Sequence, residues 1–281
     1  MQKILIPTDL STNALKAIEY ATEIFKHGPA QIYLLHAYAD EVYDTKSSKD
    51  DAVFEELKVQ ICKKTDDALE TLKSDIFKFS PNPKHEIHCV SAFGMLVDEV
   101  NDWVEKENID VVVMGTKGQT DDKKMTFGSN TLQVIKYVKC PVLAVPENYK
   151  MAYPKHILFS TDLLLPYKRR EMKLLANLAK RFAATIHFLY VSKFDTLSLR
   201  QKDNKDFLAA VFDENHVEFH QKPGDDITQA VNTFIAENEI DMLVMVNTRH
   251  SYLENIMYQS TIEKIGLHIH IPFLVMQNLP R

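Results

Sequence analysis

The feature that most constrains this chain is that it is written twice. Residues 3–11 read KILIPTDLS and residues 156–163 read HILFSTDL. Each is a short aliphatic run ending in Thr-Asp, followed by an amphipathic helical pattern. The first pattern puts Ala14, Ala17, Ile18, Ala21 and Ile24 on one face, and the second does so with Met172, Leu175, Ala176, Leu178 and Ala179. A second apolar run follows in both copies, AQIYLLHAY at 30–38 and ATIHFLYVS at 184–192. Further on, GMLVDEVNDWVEKENIDVVVM (94–114) is echoed by GDDITQAVNTFIAENEIDMLVM (224–245), and CPVLAVPEN (140–148) by IPFLVMQN (271–278). Self-similarity of this kind has to be recognised before the fold is read, because each copy is its own structural unit.

Each copy alternates strand and helix patterns. Central runs such as VVVM and LVMV are apolar throughout rather than at every second residue, the pattern of parallel strands covered on both faces by helices. The expected fold class is α/β: two doubly wound, Rossmann-like domains with five-stranded, mainly parallel sheets, arranged as a pseudo-two-fold tandem. Their expected spans are 1–148 and 154–281, joined by the polar connector ENYKMAYP (147–154). A chain of 281 residues, 45% of them hydrophobic, can fill two cores of ordinary size. The copies differ in the middle. The first carries a long charged helical pattern over residues 49–78, the second only the shorter KFDTLSLRQKDNKDFLAAVFDE.

Glycine is scarce, and its distribution is informative. Of 7 glycines, three fall in MGTKGQTDDKKMTFGSN (114–130): Gly115, Gly118 and Gly128. Gly115 follows VVVM at the carboxyl end of a predicted strand, the edge where open α/β sheets bind ligands. A glycine there can take positive φ and admit a close approach to the backbone. Gly115 and Gly118 bracket a tight turn with Thr116 and Lys117 between them, and its N–H groups can converge on an anion. Lys117 can neutralise part of the charge. Gly128 and Ser129 open the helical pattern SNTLQVIKYV, with Ser129 or Asn130 as its cap; a helix N-terminus favours phosphate. The plainer reading is that these glycines only make turns.

The spacing Gly-x2-Gly-x9-Gly-Ser, the opening ILIPTDLS, the run ending LLHAY and the closing CPVLAVP together resemble a tandem universal stress protein. The resemblance implies an adenine nucleotide as ligand, ATP or else ADP or AMP, with Mg possible on its phosphates. It implies that Pro7, Thr8, Asp9 and Ala37 wrap the adenine and ribose, and that Met114 packs on the adenine face. For Asp9 the alternative is a turn or helix cap within Thr-Asp-Leu-Ser. In the second copy the glycines are gone: Asn247 and His250 are read in place of Gly115 and Gly118, and Gln259 or Ser260 in place of Gly128. That copy is expected not to bind ATP. The implied role is nucleotide-dependent regulation or stress response, in which occupancy orders the 119–127 loop. A slow Mg-dependent ATPase and a scaffold that binds no nucleotide are the alternatives. In single-domain relatives the last strand pairs two chains; here CPVLAVP and IPFLVMQ are expected to pair within one chain, with a homodimer of whole chains left open.

Other function classes find little support. The formal net charge is -6 and there is no basic run, so neither nucleic acid nor an anionic membrane surface is an expected partner. No apolar stretch reaches the ~20 residues that span a bilayer, and the opening MQKILIPTDL does not read as an export signal. Three widely spaced cysteines, Cys62, Cys89 and Cys140, fit reduced thiols and a cytoplasmic location. Among 11 histidines, KHEIHC (84–89), HVEFH (216–220) and LHIHIP (267–272) cluster, and residues two apart on a strand share a face. They are read as surface or satisfied core residues, and no metal site is expected. No Ser-His-Asp or Cys-His set and no Gly-x4-Gly-Lys-Ser/Thr loop is present, so no catalytic residue is assigned.

Overall fold

The computed structural model describes residues 1–45, 51–117, 127–150, 152–247 and 270–278. These fall into two compact units, divided between Glu147 and Asn148. The first unit contains β1 (Gln2–Pro7), α1 (Thr12–Ile24), β2 (Ala30–Ala37), α2 (Ala39–Thr45), α3 (Asp51–Phe79), β3 (His85–Ala92), α4 (Leu96–Glu107), β4 (Val111–Gly115), α5 (Ser129–Tyr137) and β5 (Val142–Val145). Its strands lie in the order β3-β2-β1-β4-β5, all neighbours parallel. The second unit contains β6 (His156–Ser160), α6 (Arg169–Phe182), β7 (Thr185–Ser192), α7 (Leu199–Val211), β8 (His216–Pro223), α8 (Ile227–Glu237), β9 (Met242–Asn247) and β10 (Phe273–Gln277). Its strands follow the same plan, β8-β7-β6-β9-β10, again parallel. This is the doubly wound α/β arrangement that the alternating patterns predict. Among the described residues no helix is long and apolar enough to cross a membrane.

Every residue of β4 and of β9 is buried. Successive strand residues point to opposite faces, so both faces of each sheet are covered. The helical stripes are buried as their spacing requires: Ala14, Ala17, Ile18, Ala21 and Ile24 on α1, and Met172, Leu175, Leu178 and Ala179 on α6. Ala176 sits at the edge of its stripe, half-buried. The difference between the copies is a difference in one helix. α3 runs for 29 residues and buries only Thr65, Leu69, Leu72 and Ile76, whereas α7 has 13 residues and starts from a Ser198–Gln201 capping box.

The repeated Thr-Asp has a backbone purpose. Leu10 and Leu163 adopt φ of 60° and 57°, a left-handed conformation that costs a branched residue about 1–2 kcal/mol. Thr8 Oγ1 accepts the Leu10 N–H at 3.0 Å and Asp9 Oδ1 accepts the Ser11 N–H at 3.0 Å. Thr161 and Asp162 do the same for Leu163 and Leu164, at 2.9 and 2.8 Å. These side-chain turns hold the chain as it leaves the central strand.

The repeated Ile-Asp works at the other edge of the sheet. Asp110 Oδ2 accepts the Lys3 N–H at 2.8 Å, and Asp241 Oδ2 accepts those of Lys155 and His156 at 2.8 and 2.9 Å. Return bonds run from Asp110 N–H to Lys3 O and from Asp241 N–H to His156 O, at 2.9 and 2.8 Å. Replacing Asp241 by alanine leaves two strand-end N–H groups to solvent. We expect Asp241→Ala to cost about 1–2 kcal/mol in a urea unfolding curve; an unshifted midpoint would mean that water replaces the carboxylate fully. The three thiols are free. Burial pushes Cys140 up to about 12 and, with a hydrogen bond to Glu70, Cys89 up to about 11. The thiolate is the reactive form. Iodoacetamide at mildly alkaline pH should therefore label Cys140 last in the folded protein, as peptide mass spectrometry would show, and as readily as the others after unfolding.

Candidate functional site

The order β3-β2-β1-β4-β5 reverses direction at β1. The chain leaves β1 for β2 and β3 on one side, then returns to lay β4 on the other. The loops after β1 and β4 therefore turn away from one another and leave a crevice at the carboxyl edge, where doubly wound sheets bind ligands.

The β1 side of this crevice is tightly bonded. Pro7 is buried at the end of the strand. Thr8 is buried too; its N–H donates to Leu35 O at 2.8 Å, and its carbonyl accepts from His36 Nδ1 at 2.7 Å. His36 Nε2 lies 2.6 Å from a carboxylate oxygen of Glu41, on α2. Asp9 is half-exposed and holds the turn described above, so the turn-forming alternative for this residue is realised in the structure. Ala37 ends β2, half-exposed.

On the β4 side, Met114 and Thr116 are buried and Lys117 is half-exposed. Gly115 is needed for a reason other than the expected positive φ, which it does not have. A Cβ there would lie 2.7 Å from both Cγ and Nδ2 of Asn13. Asn13 is itself buried on α1 and donates from Nδ2 to Lys117 O at 2.7 Å, while its Oδ1 is buried with no hydrogen-bond partner among the described residues. Thr116 gives its N–H to Val145 O at 3.0 Å and accepts from Gly128 N–H at 2.8 Å. Thr131 Oγ1 donates to Gly115 O at 2.9 Å. The two ends of the glycine segment are thus tied together and to α5. Gly118 lies outside the described residues.

The cap of α5 is also displaced from its expected position. Gly128, at φ -72° and ψ 162°, is the N-cap, and Ser129 and Asn130 are the first two helical residues, both exposed. The bond from Gly128 N–H to Thr116 O fixes the cap by backbone alone. Gly128 has no side chain with which to cap α5, and the first turn of the helix holds no acidic residue. Its N–H groups and the positive end of the helix dipole are what an anion requires.

Pro7, Thr8, Asp9, Ala37, Met114, Gly115, Thr116, Lys117, Gly128, Ser129 and Asn130 thus lie at the carboxyl ends of β1, β2 and β4, in the segments that follow β1 and β4, or at the start of α5. The N–H groups of Thr8 and Thr116 are already committed to the sheet. Sequence reasoning missed Asn13 and His36. Both carried a signal: a polar residue four before Ala17 on the apolar stripe, and a histidine inside the buried run YLLHAY.

In the second unit the strand registers correct one assignment. Ile4 pairs with Val111 and Ile157 with Met242. Counting along β4 and β9 from these pairs, Val246 stands at the position of Gly115, and Asn247 at that of Thr116. Val246 is buried, and Asn247 Nδ2 donates to Gln277 Oε1 at 3.0 Å. The loop after β6 is covered by side chains. Tyr167 bonds through its hydroxyl to Thr161 Oγ1 and packs edge-on to Phe159, and Gln201 Nε2 donates to Asp162 O at 2.9 Å. Burial pushes the Asp162 carboxyl upward. His250, Gln259 and Ser260 lie outside the described residues.

The geometry has counterparts among known proteins. The model of the universal stress protein family matches residues 1–146. A universal stress protein of Methanocaldococcus jannaschii is 30% identical over 149 residues, covering 53% of this chain and 84% of that protein. A second from the same organism is 26% identical over 156 residues, covering 51% of this chain and 94% of that one. A solved universal stress protein from Archaeoglobus fulgidus shares the fold with a TM-score of 0.67 at 19% identity, over 98% of this chain and 96% of its own. The chain belongs to the universal stress protein family.

Proposed function

We propose that the first unit binds an adenine nucleotide, ATP foremost, in the crevice between the loops after β1 and β4, and that the second unit is a degenerate copy that does not. The observation that carries this reading is the first turn of α5. Its cap is a glycine, which offers no side-chain acceptor, the turn holds no acidic residue, and it is anchored to the end of β4 through Thr131 and Gly115.

The residues fit the ligand. Backbone N–H groups at Ser129 and Asn130 and the Ser129 hydroxyl would take phosphate oxygens. Lys117 would supply a cation beside them. The orphaned Asn13 Oδ1 offers an acceptor at the same edge; a buried acceptor left unpaired costs about 1–3 kcal/mol, which a ligand donor would recover. Asp9 and Ala37 would contact sugar and base, with Pro7 and Met114 as apolar backing. Mg2+, if bound, would share the phosphate charge. In the second unit Val246 adds a side chain where Gly115 has none.

The proposed activity is binding rather than turnover: among the described residues the one carboxylate of the set, Asp9, holds the Ser11 N–H in the turn after β1. Nucleotide occupancy would act on the 119–127 segment, and a partner would read the resulting surface. This is a regulatory role in stress response, within the cytoplasm.

The test separates binding from folding. An acid at the first position of a helix favours the helix dipole, so Ser129→Asp should fold normally while repelling phosphate. We expect it to weaken ATP·Mg binding about tenfold or more in calorimetry, a loss of ~1.4 kcal/mol. Gly115→Val, which collides with Asn13, should abolish binding and also lower stability. Ser129→Asp binding ATP as tightly as the parent protein, or no nucleotide binding by the parent protein at all, would overturn the proposal.

A further inference from the structure

In the second unit, chemistry gathers away from the crevice. His156 opens β6, His187 lies on β7, and Glu218 and His220 lie on β8. His187 pairs in register with Glu218, and Glu218 and His220, two apart, share a sheet face. Nδ1 of His187 is 3.1 Å from Nε2 of His220 and 3.4 Å from Oε2 of Glu218, and Nε2 of His220 is 3.4 Å from the same oxygen. Three atoms from three side chains form a nearly equilateral triangle.

The size of that triangle suits a tetrahedral ion. Ligands about 2.0–2.1 Å from a tetrahedral ion are separated by about 3.3–3.4 Å. The same bond length in an octahedron gives about 2.9 Å, and hard octahedral ions prefer oxygen ligands. We propose that His187, His220 and Glu218 bind a divalent ion of the zinc class, with two imidazole nitrogens and one carboxylate oxygen as ligands and a fourth position open to water.

The surroundings support this assignment. The remaining nitrogen of His187, Nε2, is 3.2 Å from Nδ1 of His156, an outer partner of the kind that fixes the tautomer of a ligating histidine. Phe234 of α8 packs against both ligand rings, at 5.9 Å from His187 and 4.9 Å from His220. Exposure rises from 8% for the His187 side chain through 28% for His220 to 57% for Glu218, which gives an ion a path from solvent.

The first unit uses the same positions differently. By strand register, Lys3 and Tyr33 stand where His156 and His187 stand, and His88 and Val90 where Glu218 and His220 stand. There Lys3 Nζ and Tyr33 OH both donate to Glu107 Oε2 at 3.0 Å, closing the face with an ion pair. The second unit has exchanged that ion pair for a set of convergent metal ligands. Among the described residues β8 pairs only with β7, so an ion held by both strands would pin the outer strand of the sheet.

The experiment uses the full chain without an affinity tag, stripped with a chelator and dialysed. Zn2+ is titrated by calorimetry, and Co2+ is followed through its visible absorption, which reports four-coordination. We expect one ion per chain, an intense tetrahedral Co2+ spectrum and a Zn2+-dependent rise in the thermal midpoint. His220→Ala should weaken binding roughly tenfold or more and remove the thermal shift. Glu218→Gln, an exposed and nearly isosteric change, should weaken binding while leaving metal-free stability unaltered, so a folding defect cannot mimic the result. Absence of saturable Zn2+ binding to the parent protein would overturn the proposal. So would binding that survives undiminished in both variants, which would place the ion on other histidines.

Discussion

Each unit depends on a reversal of strand order at its central strand. Parallel strands cannot be joined by a tight turn, so every connection crosses the sheet, and the connections here first run outward from β1 and then return to lay β4 on its other side. The reversal is secured at the amino edge by aspartate: Asp110 clamps the start of β1 and Asp241 the start of β6. At the carboxyl edge the Thr-Asp turn redirects the chain through a left-handed leucine. Both dipeptides recur because the topology makes the same two demands in each sheet. Between the diverging loops an opening remains, and it must be lined largely by backbone.

That lining has to be held rigidly, because a backbone cradle selects its ligand only when its N–H groups point in fixed directions. In the first unit the holding is done by buried polar side chains, Asn13 on the Lys117 carbonyl, Thr131 on the Gly115 carbonyl and His36 on the Thr8 carbonyl. Each donates to a main-chain carbonyl at the carboxyl edge of the sheet. Asn13 Oδ1 is left a buried acceptor without a donor among the described residues. Native proteins leave few such atoms unpaired, and those they leave often mark a site.

The sequence made the architecture legible and the site only in outline. Period and burial pattern were enough for the repeat, the parallel sheets and the unequal middle helices, since these rest on composition summed over many residues. The sequence places Gly115 at the end of a strand, as it is at the end of β4, but the reason for a glycine there was not visible. Close approach of Asn13 can be seen only when α1 is laid against β4. Val246 rather than Asn247 matches Gly115 because strand register, not the nearest similar letter, decides correspondence, and a shift of one residue turns a side chain to the opposite face. The cap of α5 moved to Gly128 because a backbone bond to Thr116 fixed it. The histidines looked like unrelated surface pairs because His187 and His220 meet only through the β7–β8 pairing.

The two units show what this sheet constrains and what it leaves free. Registers at β1–β4 and β6–β9 correspond pair for pair, and the Asp clamps and Thr-Asp turns are present in both. Around that common frame the chemistry has been exchanged in coupled sets. Gly115 cannot acquire a side chain while Asn13 lies 2.7 Å from its missing Cβ, so the glycine and the asparagine clamp stand or fall together. Where a valine occupies the position, the neighbouring loop is bonded by Tyr167 and Gln201 instead. The Lys3–Tyr33–Glu107 network is likewise a set, since removing the carboxylate would strand an ammonium and a phenol, and in the second unit its positions carry imidazoles rather than a lone survivor of the ion pair. Divergence of this kind goes by whole groups of touching residues because a buried polar group without its partner costs more than either complete arrangement.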